Sequence, residues 1–227
     1  MKFKKDIAIM IYGRLNSKRC PKKMIKKFCN SSLLEICIKK LLNSKIIPNS
    51  NIYCGVYEKP LINLIKKYPI NIFKRSKTSA MSEGKPVSSY YEFWDKIPQK
   101  YVIFINACCP LISKKTIENF YKSYLKTKSN GLLSVIKKKN YIWSLKSKLL
   151  TEKPIKNSTM NTKFLKGYYE TAHVLQAGKL SDIGKNVWMG SYRKKNDPEL
   201  KEIPEEETFD IDYEWQFKVA EKLYSRK

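Results

Sequence analysis

The chain has 227 residues, enough for one domain whose core needs no staples. Hydrophobic residues make up 42% of it, as in ordinary globular proteins. No stretch approaches the ~20 uninterrupted apolar residues of a membrane span.

The formal net charge is +26, but only five of the 46 basic residues are arginine (Arg14, Arg19, Arg75, Arg193 and Arg226), which leaves 41 lysines spread over the whole length. A surface that reads nucleic acid clusters its cations and uses arginine on base edges, so the composition argues against one. The same charge helps draw in small anions such as nucleotides. Met1–Lys5 is basic, and the short apolar run after it leads into Gly13-Arg14 rather than a small-residue cleavage site. No signal peptide is expected, and the cytoplasm is the expected location. Six cysteines without CxxC spacing fit reduced core thiols.

Ile7 to Ile11 is an unbroken apolar run, suited to a strand buried on both faces of a parallel sheet. Gly13 ends it. Arg14, Asn16, Ser17, Lys18, Arg19, Lys22 and Lys23 then crowd into a loop that Pro21 keeps out of a helix. Ser31 and Ser32 suit caps for a helix with Leu33, Leu34, Ile36, Cys37 and Leu41 on its apolar side. A buried strand, a cationic loop and a helix are the usual place for an α/β protein to hold a phosphorylated ligand. A merely solvated basic loop is the alternative.

Asn51–Tyr57 reads as a second strand, Pro60 to about Lys67 as a helix, and Ile70–Phe73 as a third strand with Arg75 just beyond it. Ser79–Ser89, with Gly84 and Pro86, reads as a loop, and Tyr90–Ile97 as a helix with Tyr91, Phe93, Trp94 and Ile97 inward. Tyr101–Asn106 is a second strongly buried strand, whose Asn106 can cap its own end. Lys114–Thr127 reads as a helix and Gly131–Ile136 as a strand. From Asn140 to Lys166 the pattern loosens around Pro154. Gly167–Leu175 is a strand with the chain's single histidine, His173, which in a strand is more often a packed, hydrogen-bonded residue than a catalyst. Val187–Met189 reads as a short strand. Near the end, alternation puts Asp210 and Asp212 on one side of an extended segment before a last helix. Paired carboxylates with open positions suit Mg²⁺; Asp212 as a helix cap is the alternative.

The loop Arg14-Leu-Asn-Ser17-Lys18-Arg-Cys-Pro21-Lys-Lys23, followed by Ser32-Leu33-Leu34, resembles the signature of the sugar-acid cytidylyltransferases, chiefly the acylneuraminate (CMP-sialic acid) synthetases. Asn106-Ala-Cys-Cys-Pro110-Leu111 and Phe209-Asp210-Ile211-Asp212 with the following helix extend the resemblance in the right order. It implies a single Rossmann-like α/β nucleotidyltransferase domain over 1–227 with a mostly parallel sheet, and a dimerisation and acceptor insertion at about 140–166. It implies transfer of CMP from CTP to an acidic sugar with release of pyrophosphate, in cell-surface glycan biosynthesis. By the same resemblance Arg14, Ser17, Lys18, Lys23 and Arg75 bind nucleotide, and Arg14, Lys23 and Asp212 serve catalysis. Asp210 and Asp212 hold Mg²⁺. Asn106, Tyr168, Tyr169, Glu170 and His173 face the acceptor, and the partner is a second copy of the chain, with no membrane and no specific nucleic acid.

Two departures bear on the acceptor: Asn106 is one methylene shorter than the family's glutamine, and Glu170-Thr171 stand where a small pair is usual. A third, Met24 in place of the usual asparagine, bears on a base or ribose contact of the nucleotide. The relatives that activate KDO place an aspartate in the Asn106 turn, and this chain has no acid between Asp95 and Glu118. KDO or a phosphonate acceptor, and a non-catalytic basic binding protein, are the alternatives.

Overall fold

The computed structural model describes residues 2–81, 85–154, 159 and 161–226. Among them, seven strands form one sheet: β1 (Ile7–Tyr12), β2 (Ile52–Val56), β3 (Asn71–Lys74), β4 (Tyr101–Ile105), β5 (Leu132–Lys138), β6 (Tyr168–Lys179) and β7 (Glu199–Glu202). The helices are α1 (Leu33–Leu42), α2 (Lys59–Ile65), α3 (Lys77–Ala80), α4 (Val87–Tyr90), α5 (Lys114–Lys126), α6 (Leu180–Ile183) and α7 (Glu214–Tyr224). The sheet order is β3-β2-β1-β4-β6-β5-β7. Pairing is parallel except where β6 lies antiparallel to both β4 and β5.

β1 is apolar throughout because both of its faces are covered. Ile7, Ile9 and Ile11 join the core that α1 and α5 complete, while Ala8 and Met10 pack with Phe93, Leu180 and Ile183 on the other side. Each such large aliphatic side chain contributes roughly 1.5–3 kcal/mol on burial. From β1 the chain runs out to β2 and β3, then returns to set β4 on β1's other edge. The strand order therefore reverses between β1 and β4, and the crevice at their carboxyl ends is where open α/β sheets bind ligands.

Several expectations change in the structure. The described part of Ser79–Ser89 is not an open loop. It holds the end of α3, whose N-cap Ser76 accepts from the Ser79 amide, and most of α4. Gly84 lies outside the described residues. Tyr90–Ile97 is the end of α4 and a single 3-10 turn, Glu92–Asp95. Val187–Met189 is no strand. Asn186 and Met189 adopt left-handed φ of 59° and 66°, and the segment lies against Gly131 and Gly178. A Cβ on Gly131 would sit 1.6 Å from the Met189 carbonyl oxygen, so only glycine admits this approach.

Strand β7 was not foreseen, because Glu-Leu-Lys-Glu lacks a strand's apolar alternation; it exists by pairing with β5. Of the expected insertion, residues 155–158 and 160 lie outside the described residues. The rest has a Trp143–Leu149 bridge and a turn at Thr162–Phe164, and it leaves Trp143, Leu145, Leu150 and Phe164 exposed. All six cysteines are free thiols, and no helix of the described residues is long and apolar enough to cross a membrane.

Candidate active site

Two distant pieces of chain meet at the carboxyl ends of β1 and β4. Helix α7 packs Phe217 and Ala220 against Cys20, Phe28, Leu33 and Ile36, so the apolar residues around the basic loop dock the end of the chain. Polar contacts fix the register. Glu214 pairs with Lys26 and accepts from the Cys20 thiol, and Glu221 accepts from the Cys29 amide at 2.6 Å. The Ile211 amide donates to the Cys108 carbonyl at 3.0 Å, which ties the acidic segment to the turn after β4. Gln216 turns back so that its side-chain oxygen accepts from the amides of Asp212 and Tyr213, at 2.7 and 2.8 Å. That glutamine supplies the α7 cap and leaves the Asp212 carboxylate for other partners.

Those partners are cations of the basic loop. Asp212 lies 2.8 Å from Arg19 and 3.5 Å from Lys23, and the Lys23 ammonium also donates to the Ile211 carbonyl. Burial works against the Lys23 charge, but Cys108, Asp210 and Asp212 around it more than offset this and hold its ammonium above the ordinary lysine value. Asp210 is the more enclosed member of the pair, with one oxygen shut off from solvent. One carboxylate oxygen accepts from the Asn106 amide at 3.2 Å, and the other is closed from solvent with no hydrogen-bond partner among the described residues. Burial pushes the Asp210 carboxyl above the usual carboxylate value, against the pull of Lys23.

An unpartnered buried carboxylate oxygen beside a second carboxylate fits Mg²⁺, which takes oxygen ligands and keeps water or phosphate oxygens for the remainder. No group of three or more His, Cys, Asp or Glu suited to a metal exists among the described residues. Protein ligation would therefore come from Asp210 and Asp212 alone, with sites left for phosphate oxygens.

Two cavities open here and share Arg14. The larger, of about 780 Å³, is lined by Arg14, Ser17 and Lys18 from the basic loop and by Tyr57, Lys77 and Met81 opposite. Glu58 holds that loop in place by accepting from the Leu15 amide at 2.8 Å. The smaller, of about 310 Å³, is lined by Arg14, Lys23, Asn106, Asp210 and Asp212 on one side and by Tyr12, Tyr90, Tyr91, Phe104, His173 and Gln176 on the other. Together they have room for a charged nucleotide and a second molecule.

Arg75 is not the surface arginine that a strand end suggests. It is buried, donates to Ser79, and stacks 3.8 Å over the Tyr12 ring and 5.1 Å over Tyr90. It lines the smaller cavity as a fixed cation in an aromatic wall.

His173 owes its place to a bulge. Between the pairs Leu133–Gln176 and Val135–Thr171, β5 advances two residues while β6 takes five. Ser134 accepts from the Leu175 amide at 3.0 Å, which satisfies part of the surplus backbone. His173 sits in this excess with a left-handed φ of 53° and is turned into the cavity. Bulges of this kind re-aim side chains beside functional sites.

Of the residues expected at a site, Arg14, Lys23, Arg75, Asn106, His173, Asp210 and Asp212 surround the smaller cavity, and Ser17 and Lys18 line the larger. Tyr168, Tyr169 and Glu170 do not line either. They pair with the far end of β5, opposite Lys138, Lys137 and Ile136, and the Tyr169 hydroxyl donates to Glu202. The bulge separates them from the crevice. Asn106 is engaged within the protein: its oxygen accepts from the Cys108 amide at 2.9 Å while its nitrogen holds Asp210. It therefore caps the strand end and positions the acid at once. Arg19, Gln176 and the tyrosine wall were missed. Arg19 was visible in the basic loop; the aromatic residues were masked by spacing that equally suits a core.

A family model described as Cytidylyltransferase matches residues 8–175. A search of curated protein sequences returns no match. Among solved structures, the chain is similar to a CMP:2-keto-3-deoxy-manno-octonic acid synthetase complexed with CTP. That match has a TM-score of 0.68 at 10% identity and covers 97% of this chain and 99% of the other. It is also similar to a cytidylyltransferase from Leptospira borgpetersenii (TM-score 0.62, 15% identity, 98% and 87% covered). A third is a 4-diphosphocytidyl-2C-methyl-D-erythritol synthase from Anaerococcus prevotii (TM-score 0.64, 14% identity, 97% and 96% covered). At these identities the structural matches speak to the shared fold.

Proposed function

Because the chain belongs to the cytidylyltransferase family of CTP-dependent enzymes, we propose that it joins CMP to an acidic sugar of the nonulosonate class and releases pyrophosphate. The observation that carries this reading is the meeting of the loop cations with the Asp210–Asp212 pair at the β1–β4 crevice, beside a second, aromatic-walled cavity. Arg14, Ser17 and Lys18 would hold the phosphates of CTP, with the rest of the nucleotide in the larger cavity. Lys23, with its charge reinforced by its neighbours, stays cationic through the reaction and faces the charge that builds on the phosphates. Asp210 and Asp212 would hold Mg²⁺, which when bound supplies neutralising charge to the same phosphates. The acceptor would occupy the smaller cavity, its apolar face on Tyr90 and Tyr91 and its acid group toward Arg75. An acceptor oxygen then attacks the α-phosphorus directly, and the protein needs no covalent nucleophile.

In this reading the enzyme acts as a homodimer in cell-surface glycan biosynthesis in the cytoplasm, and exposed Trp143, Leu145, Leu150 and Phe164 of the insertion form the contact. KDO is the second reading. The fold shared with a synthetase for that sugar brings it in, and the lack of acid in the Asn106 turn opposes it.

The test is incubation with CTP, Mg²⁺ and a panel of N-acetylneuraminic, legionaminic and pseudaminic acids, KDO and an aminophosphonate, with products identified by mass. A CMP-linked nonulosonate with stoichiometric pyrophosphate is expected. Turnover of KDO alone would move the assignment to the second reading, and turnover of the aminophosphonate alone would remove the sugar-acid assignment.

A further inference from the structure

A chain of donors and acceptors runs from Trp188 into the smaller cavity, which Gln176 and His173 line, and each link dictates the next. The indole nitrogen of Trp188 can only donate, and it lies 3.1 Å from the Gln176 side-chain oxygen. That contact orients the carboxamide, so its NH₂ end faces the Nδ1 of His173 at 3.3 Å. An NH₂ group has no lone pair to offer, so Nδ1 accepts, and the imidazole carries its proton on Nε2.

The head of this chain is held in place. Trp188 stacks on Tyr91 with ring centroids 4.6 Å apart and meets Phe104 edge-on. Its ring passes over Gly178, where a Cβ would come within 3.3 Å of it. The tail is held by the β6 bulge that fixes His173 in its left-handed conformation.

We propose that Trp188 and Gln176 are positioning residues that lock His173 as a hydrogen-bond donor to an acceptor oxygen, and that His173 is therefore not the base that takes the acceptor's proton. The proposal rests on the acceptor occupying this cavity, as argued above. It specifies the acceptor further. The group opposite His173 is an oxygen with a free lone pair, as in a carboxylate, carbonyl or amide. An ammonium group in that place would meet the Nε2–H proton and be rejected.

His173 is the chain's only histidine, so ¹⁵N-labelled protein reports its two ring nitrogens without assignment. The measurement is made at a pH where an ordinary imidazole is neutral. Wild type should show a protonated Nε2 and a bare Nδ1. Gln176→Glu replaces the donor by a carboxylate that Trp188 can still reach, so the proton should move to Nδ1. Trp188→Phe keeps the ring stack but frees the carboxamide, and the nitrogen shifts should move toward those of a free histidine peptide. In assays with the acceptor that turns over, both variants should raise its KM roughly tenfold, the worth of about one hydrogen bond, while CTP affinity stays at the parent value. A wild-type proton on Nδ1, or shifts that neither folded variant moves, would overturn the relay. The nitrogen shifts need no substrate, so they stand apart from the product panel. If no acidic sugar turns over, the functional reading fails whatever tautomer is found.

Discussion

Asp210 and Asp212 share a proposed role but contribute to stability with opposite sign. The fold holds the Asp210 carboxyl above its ordinary value, chiefly by burial, so ionising it costs stability. The benefit of keeping its proton is fully present below the unfolded value of about 3.9 and is lost as pH rises through the raised folded value. Asp210→Asn should therefore abolish turnover and yet raise Tm at pH 7 by about 2–4 °C, the shift for roughly 1 kcal/mol at this chain length, with the gain fading toward pH 3–4. Asp212 is half-exposed and paired with Arg19 and Lys23, so Asp212→Asn should abolish turnover with a small loss of Tm. Thermal melts of the two variants across pH, beside a pyrophosphate assay, check both signs. A fall in Tm for Asp210→Asn would mean that Lys23 stabilises the ionised acid more than burial penalises it.

The loop after α6 shows what one anchor does for an element without regular structure. Asp197 accepts from the Ser129 and Ser191 hydroxyls at 2.7 Å each and from the Ser191 amide at 3.1 Å, which straps the loop to the start of β5. These bonds hold its carboxyl below the ordinary value, so the stability it gives is present at neutral pH and lost as pH falls through the depressed value. Asp197→Ala should cost about 1 kcal/mol at pH 7 after allowance for solvent screening, and the gap to wild type should close below about pH 4. Urea melts at pH 7 and pH 3 measure it. This loop was also the least legible part of the sequence. Val187-Trp-Met189 has a strand's composition, but its conformation is set by contacts with Gly131 and Gly178, more than fifty and about ten residues away. By contrast, β1, β4 and α1 were legible because burial on both faces demands an unbroken apolar run and a capped helix start announces itself locally. The basic loop and the acid pair could be read as separate motifs. Their contact could not, since it depends on how α7 packs, and the His173 bulge left no mark in the one-dimensional pattern.

For the whole molecule the net charge of +26 is a long-range field more than a set of contacts. Exposed charges act over a Debye length of about 10 Å at 0.1 M salt, so the field assists capture of a tetra-anionic nucleotide mainly in dilute buffer. KM for CTP should rise several-fold between 50 and 200 mM salt while kcat changes little; a salt-independent KM would place all of the attraction in the buried cations of the crevice. The exposed apolar residues of the insertion carry a separate expectation. Leu145→Asp should shift the sedimentation of a dimer to that of a monomer, and a wild type that sediments as a monomer would remove the contact proposed for them.

The acid pair and the basic loop also differ in when they are made. Asp212 is synthesised 189 residues after Lys23, after all seven described strands of the sheet. At a typical 5–20 residues per second, the loop therefore waits on the order of ten seconds or more for its partner. Through that interval Glu58 is the acid that the basic loop already has beside it, and Lys23 and Arg19 still lack Asp212. A polyanion added to a chain that lacks α7 should therefore compete for the loop cations better than one added to the whole protein, because docking of α7 brings Asp212 to Lys23.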